Sequence, residues 1–268
     1  MAAGGVRRGR VSRDARARTH WRLASASRRV LLLGVPQFPE TRYSVVAALG
    51  SAATAERERA IESIASVYRD PIIAVLRQRW RLEPADAEDL AHDFLAHALD
   101  RDWLQRYDRS KGRFRTFLRS CLMAYASTVH EADTRLKRGG GAPHLSFDPA
   151  LHSPADTGDI AALFDREWVR SVLATALDAL RLECEAAGRQ LTYRVFVAYD
   201  IDGAERDPRP GYAEVARQFD VPATQVTNYL NWARRRLRSH VLDTLRALTT
   251  DEAEYREELR TLLGIDPP

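Results

Sequence analysis

The chain has 268 residues, 45% of them hydrophobic, and only two cysteines, Cys121 and Cys184. That length allows one or two domains with real cores, and so few cysteines, so far apart, exclude a disulfide framework and a cysteine-rich zinc site while suiting a reducing cytosol. The formal charge of +4 hides an asymmetry: residues 1–39 hold nine arginines against the single acid Asp14, so the remainder is net acidic and owes any nucleic-acid surface to local clustering.

Residues 1–39 are rich in Arg, Ala, Ser and Gly without a sustained apolar period, which predicts a disordered tail. Three readings stand: a loose tail or over-extended start of the reading frame, a basic arm that binds nucleic acid non-specifically, or a targeting peptide. Ser27-Arg28-Arg29-Val30-Leu31-Leu32 hints at a twin-arginine signal, but Pro36 and Pro39 stop the apolar stretch. The longest purely apolar run, Val30 to Leu33, is too short to span a bilayer. No membrane association is expected.

From Glu40 to Arg138 apolar residues recur three and four apart, the helical period. One helix is expected over Glu56–Tyr68, another after Pro71, and a third from about Asp86, with Pro84 just before it. Asp86 and Asp89 are spaced as a cap and an acid of the first turn. A fourth and a fifth are expected between Phe114 and Lys137. Residues 139–159, with Gly139-Gly140-Gly141-Ala142-Pro143, Asp148-Pro149 and Ser153-Pro154, read as a linker. Beyond it a long amphipathic helix covers Ile160 to Ala187, with Gly188 as its stop. A short apolar segment (Leu191–Tyr199), a polar loop through Asp207-Pro208-Arg209-Pro210-Gly211, two helices within Tyr212–Leu248 and an acidic helix over Asp251–Leu263 follow.

The strongest local pattern lies between Tyr212 and Leu237. With Ala216 as the small residue where two short helices cross, Val215, Phe219, Val221, Val226 and Tyr229 fill the apolar offsets of a helix-turn-helix. The turn position holds Asp220, which tolerates the left-handed backbone better than most residues. The second helix would present Thr224, Gln225, Thr227, Asn228 and Asn231 to base edges and Arg234, Arg235 and Arg238 to phosphates. The alternative is a plain three-helix core with a solvated arginine face.

Two further patterns stand out. In Asp86–Asp100 the residues Ala87, Leu90, Ala91, Phe94, Leu95 and Ala98 form an apolar stripe, and Asp86, Asp89, Asp93 and Asp100 share the opposite face. Like charges on one face repel, so a basic partner explains them better than helix propensity does; an ordinary solvated face is the alternative. His92-Asp93 also matches a pair found in metal phosphohydrolases, but His92 and His97 are five apart, not the four that align two ligands on a helix. In Lys111–Arg138 the basic residues Arg113, Arg115, Arg119, Arg135, Lys137 and Arg138 alternate with aromatic ones, a pattern suited to unstacked single-stranded bases. Core aromatics with solubilising arginines are the other reading. No phosphate-cradling loop, serine elbow or dinucleotide fingerprint occurs, so no enzyme activity and no cofactor is expected.

The predicted fold is all-α: two small helical domains (40–138 and 160–248) joined by a flexible linker, the second containing a helix-turn-helix, with an acidic C-terminal extension over 249–268. With its three motifs, Asp86-Ala87-Glu88-Asp89-Leu90 through Phe94-Leu95, Gly112-Arg113-Phe114-Arg115-Thr116-Phe117-Leu118, and Tyr212-Ala213-Glu214-Val215-Ala216 through Arg238, the chain resembles a bacterial RNA polymerase sigma factor of the extracytoplasmic-function class. The resemblance covers about Thr41 to Leu248. It implies a cytoplasmic protein whose partners are core RNA polymerase and promoter DNA, with an anti-sigma factor as a further partner of that family. Asp86, Asp89, Asp93 and Phe94 would dock on the polymerase clamp helices. The basic segment from Arg113 to Arg138 would hold the melted minus-ten strand, and the helix bearing Thr224 to Arg238 would read the minus-thirty-five element. The family's Arg-Asn pair and apolar-Asp pair are replaced by Met123-Ala124-Tyr125-Ala126-Ser127-Thr128-Val129-His130-Glu131. A polymerase-independent DNA-binding regulator is the second expectation. The cationic tail would also complement Asp251, Glu252, Glu254, Glu257 and Glu258 of the last helix.

Overall fold

The computed structural model describes residues 54–100, 103–137 and 158–263. The tail, Arg138 and the linker up to residue 157 lie outside them. The described residues form eight α-helices and no strand: α1 (Thr54–Trp80), α2 (Pro84–Asp100), α3 (Phe114–Lys137), α4 (Gly158–Ala186), α5 (Gln190–Phe196), α6 (Tyr212–Phe219), α7 (Ala223–Leu248) and α8 (Glu252–Leu263). The all-helical expectation is met.

Three boundaries differ from the sequence expectation. Pro71 does not separate two helices but sits inside α1. A proline there removes a hydrogen bond and crowds the preceding turn, at about 3 kcal/mol. Val67, Tyr68, Ile72, Val75 and Leu76 around it are at most 1% exposed, and burying each such side chain is worth about 1.5–3 kcal/mol. Packing on both sides therefore overrides the break. α2 starts at Pro84, so Asp86 lies in its first turn rather than at its cap. The stretch from Phe114 to Lys137 contains no Gly or Pro and forms one helix, not two.

α4 is the central strut. Ile160, Phe164, Trp168, Val172, Leu173, Ala176, Leu177, Leu180 and Cys184 are buried along it, and it packs against both α1 and α7. Tyr68 of α1 stacks on Phe164 at 6.3 Å and meets Phe114 of α3 edge-on at 5.8 Å. Buried side chains from Ile64 to Leu262 form a single cluster, so the two helical stretches share apolar contacts through α4. The helix stops as expected at Gly188, whose φ is +65°. The Arg189 N–H donates to the Cys184 carbonyl at 2.7 Å across that left-handed residue.

α8 is integral to this body. Tyr255, Leu259 and Leu262 are buried on one stripe, and Glu254 and Glu258 are buried beside them. Asp251 accepts from the Glu254 N–H at 2.7 Å, while Glu254 accepts from the Thr250 N–H at 2.9 Å, a reciprocal cap at the helix start.

Candidate functional site

The α6–α7 pair shows how local sequence aims a polar surface. α6 ends at Phe219, and Asp220 follows in the left-handed region, with φ 52° and ψ 51°. The Val221 N–H then donates to the Ala216 carbonyl at 3.0 Å, closing the turn. Val215, Ala216, Val226 and Leu230 are buried under it, and Phe219, Val221 and Tyr229 are half-buried. All the expected apolar offsets thus face inward, with Leu230 added to them.

On the outer side of α7, Thr224, Asn228, Asn231 and Arg235 are exposed, and Gln225 and Thr227 are half-buried. No carboxylate occurs in the helix before Asp243. Arg234 departs from expectation. Its guanidinium donates to both oxygens of buried Asp200, at 2.8 and 2.9 Å. Those hydrogen bonds raise its pKa. Arg209 donates to the same carboxylate at 2.9 Å. Arg234 is a structural clamp between the α5 region and α7, so it is not available to a phosphate. Arg236 is held by Glu183 at 2.8 Å. Arg238 is half-buried, and that burial lowers its pKa. Of the four arginines from 234 to 238, Arg235 is the most exposed.

Two cations missed by the sequence reading border this surface. Arg194 of α5 is exposed, with its guanidinium 5.3 Å from the Phe219 ring, and Arg217 is exposed on α6. Their arrival beside the turn depends on the packing of α5, which spacing within Tyr212–Leu237 does not encode.

On α2, Asp86, Asp89 and Asp93 are exposed on one face, as expected. Phe94 is not on that face: it is fully buried, 5.7 Å from the Tyr125 ring, and is a core residue. Glu88 on the flank pairs with Arg69 of α1 at 3.2 Å.

The basic segment opening α3 is already neutralised. Arg115, 1% exposed, lies 3.1 Å from Glu258 and 3.1 Å from Asp165, with its guanidinium 4.6 Å from the Trp168 ring. Arg113 contacts Glu258 at 3.7 Å and Glu257 at 3.9 Å, and donates to Thr261 Oγ1 at 3.0 Å. Arg119 is 3.7 Å from Asp165. Arg109 pairs with Asp251 at 3.2 Å and Glu257 at 3.5 Å. The N-terminus of α3 is capped by Glu254, which accepts from the Phe114 N–H at 2.8 Å. These arginines are therefore engaged by acids of α4, of α8 and by Asp251 just before α8, and the carboxylates expected to meet the tail are largely engaged within the fold. Burial pushes the Glu258 carboxyl up to about 7 despite the two arginines beside it. Burial also works to raise Glu183, but hydrogen bonds from Arg236 and His240 hold it below the usual carboxylate value. Arg135 and Lys137 lie in the last turns of α3.

Among the described residues no three His, Cys, Asp or Glu side chains cluster to hold a metal ion. No described helix is long and apolar enough to cross a membrane. No protein-family model, curated protein or solved structure matches the chain.

Proposed function

We propose that this chain is a sigma factor of the extracytoplasmic-function class, a dissociable subunit that binds core RNA polymerase and directs it to promoters. The observation that carries the reading is the α6–α7 pair. A left-handed turn at Asp220 joins a short helix to a longer one, whose outer face offers Thr224, Asn228, Asn231 and Arg235 without a carboxylate before Asp243. Amide and hydroxyl groups early in such a helix match base edges in a major groove, and Arg235, Arg194 and Arg217 match the flanking phosphates. The exposed Asp86, Asp89 and Asp93 supply a second, separate surface of the sign that a basic polymerase element requires.

The test is a fluorescence-anisotropy titration of labelled protein with purified core RNA polymerase, with Asp89→Lys as the comparison. Tight binding that the reversal weakens at least tenfold is expected, because like charges facing each other in an interface cost several kcal/mol. A folded protein that binds duplex DNA but not polymerase would refute the sigma reading in favour of an independent DNA-binding regulator. One observation favours that second reading: Arg113, Arg115 and Arg119, which a sigma factor would offer to a melted strand, are occupied by carboxylates of α4 and α8.

A further inference from the structure

Two adjoining clefts lie where the C-terminal end of α1 meets its neighbours. Arg79, Trp80, Arg81, Ser127, His130 and Glu131 line the first, of about 450 Å³. The second, of about 570 Å³, shares Arg81 and adds Arg77. Arg77, Arg79 and Arg81 are exposed, and among the described residues no carboxylate lies within ion-pair distance of any of them. Trp80 is half-buried, with the Arg79 guanidinium 5.5 Å from its ring. Arg81 holds a left-handed backbone, φ 54°, that an arginine adopts only at a cost, a kind of strain that gathers at binding sites. Charge across the two clefts is polarised. The cations run from the first into the second through Arg81, whereas Glu131, also exposed, lines the first alone.

We propose that these clefts bind a free guanosine di- or triphosphate, with the base on Trp80, its pairing edge on Glu131 and its phosphates on Arg79, Arg81 and Arg77. Each volume lies in the range of a small-molecule site and exceeds what a lone inorganic anion fills. Polarity favours a free nucleotide over a strand. A strand carries a phosphate on either side of each base, so one of them would meet Glu131. A nucleoside polyphosphate carries all its phosphates on one side of the base. It also gathers several negative charges in one group, which suits guanidinium forks that grip phosphate through paired N–H donors. The carboxylate selects the base. Ionised, it accepts hydrogen bonds and donates none. Guanine presents two donor groups side by side on its pairing edge, the ring N–H and the amino group, whereas adenine, cytosine and uracil each present one. Stacking on an aromatic ring is tolerant of the base, so Trp80 supplies affinity and Glu131 the choice. The proposal does not rest on the sigma reading.

The full chain is titrated against GTP labelled on the ribose and followed by fluorescence anisotropy, with unlabelled compounds as competitors. Because the arginines of residues 1–39 attract any polyanion, base preference and not binding alone is the criterion. GTP and GDP are expected to displace the probe about tenfold better than the ATP, CTP and UTP series, the discrimination of one good bidentate contact. Inorganic triphosphate, which lacks a base, is expected to compete weakly. Glu131→Gln keeps one acceptor and turns the other into a donor, so it should lose most of the preference for guanine while binding ATP no more weakly than wild type. Arg81→Gly removes a cation and relieves the left-handed backbone, so its melting temperature holds or rises while its affinity for the probe falls several-fold. Trp80→Ala is expected to weaken GTP roughly tenfold and leave inorganic triphosphate unchanged; if it does not fold, the other two variants decide. Equal competition by the four nucleotides or by inorganic triphosphate overturns the proposal and reduces the clefts to a patch that attracts anions. So does a wild-type protein that ignores the probe, wild-type affinity in folded Arg81→Gly, or an unchanged guanine preference in Glu131→Gln.

Discussion

Arg115→Ala separates the two roles open to this side chain. A surface arginine on a nucleic acid is dispensable for folding, whereas Arg115 is 1% exposed and its partner Glu258 has a side chain 4% exposed. Breaking a buried ion pair by deleting one member costs about 3–5 kcal/mol, because the other charge stays buried and uncompensated. Here Glu258 softens the loss: its carboxyl already titrates at about 7, so below that pH the orphaned acid takes up a proton. Arg113 at 3.7 Å also remains beside it. The loss is therefore about 3 kcal/mol near pH 6 and grows with pH, by up to about 1.4 kcal/mol per unit while the acid is forced to ionise. For a domain of ordinary stability this is a large fraction of the total.

Urea denaturation followed by circular dichroism at pH 6 and pH 8 reads this directly, on wild type, Arg115→Ala, Glu258→Gln and the double variant. Glu258→Gln alone is expected to cost less than Arg115→Ala, since Arg115 keeps Asp165 at 3.1 Å and the amide keeps most of the shape of the acid. The double variant should then be less destabilised than the sum of the singles. If Arg115→Ala stays within about 0.5 kcal/mol of wild type at both pH values and instead loses affinity for single-stranded DNA, the buried-clamp account is wrong and the arginine is a nucleic-acid contact.

Three other outcomes are expected. Glu258 binds a proton more readily folded than unfolded, so its stabilising effect is complete below its ordinary carboxylate pKa of 4.5 and is lost as pH rises through about 7; the difference in stability between wild type and Glu258→Gln should follow that window and level off above it, and a difference independent of pH would rule this out. Arg234→Gln should cost about 3 kcal/mol by leaving buried Asp200 to Arg209 alone, without changing the salt dependence of duplex DNA binding; Arg235→Gln should do the reverse, lowering the salt slope by about 0.9 at near-constant stability. The opposite assignment of the two effects would misplace the DNA face. Asp220→Gly should stabilise by about 0.5–1 kcal/mol, because glycine adopts φ 52° without a Cβ penalty. A drop in melting temperature would show that the Asp220 side chain matters more than its backbone.

Local signals carried most of the fold. The Gly188 stop, the apolar offsets around Ala216 and the single stripe of α4 all follow from periodicity, because each element buries the face its own sequence marks. Pro71 misled because the rule for proline is local, while the packing of Val67 to Leu76 that overrides it is tertiary. The site was less legible. Asp86, Asp89 and Asp93 could be read from one helix. The clamp of Asp200 on Arg209 and Arg234 joins residues up to 34 apart, and that of Glu258 on Arg115 spans more than half the chain. One signal for the latter was present: Glu254 and Glu258 fall beside the Tyr255, Leu259 and Leu262 stripe of α8. A carboxylate on the buried side of a helix has to find a donor, and the unclaimed arginines of the preceding helices were the candidates.

The pairing of arginines with acids also determines where the cationic surface lies. A run of arginines in sequence fixes how much charge exists but not how much of it faces water as charge. In this fold the acids of α8 and α4 cancel Arg109, Arg113, Arg115 and Arg119, and those of α4 and the turn after α5 cancel Arg236 and Arg234. Such pairs contribute little field beyond their own contact. Among the described residues no carboxylate lies within ion-pair distance of Arg194, Arg217 and Arg235 around the α6–α7 turn, or of Arg77, Arg79 and Arg81 at the end of α1. The first group borders a polar helix face with no acid before Asp243, and the second lies beside Trp80, so the packing of acids and not the count of arginines decides where positive charge meets solvent.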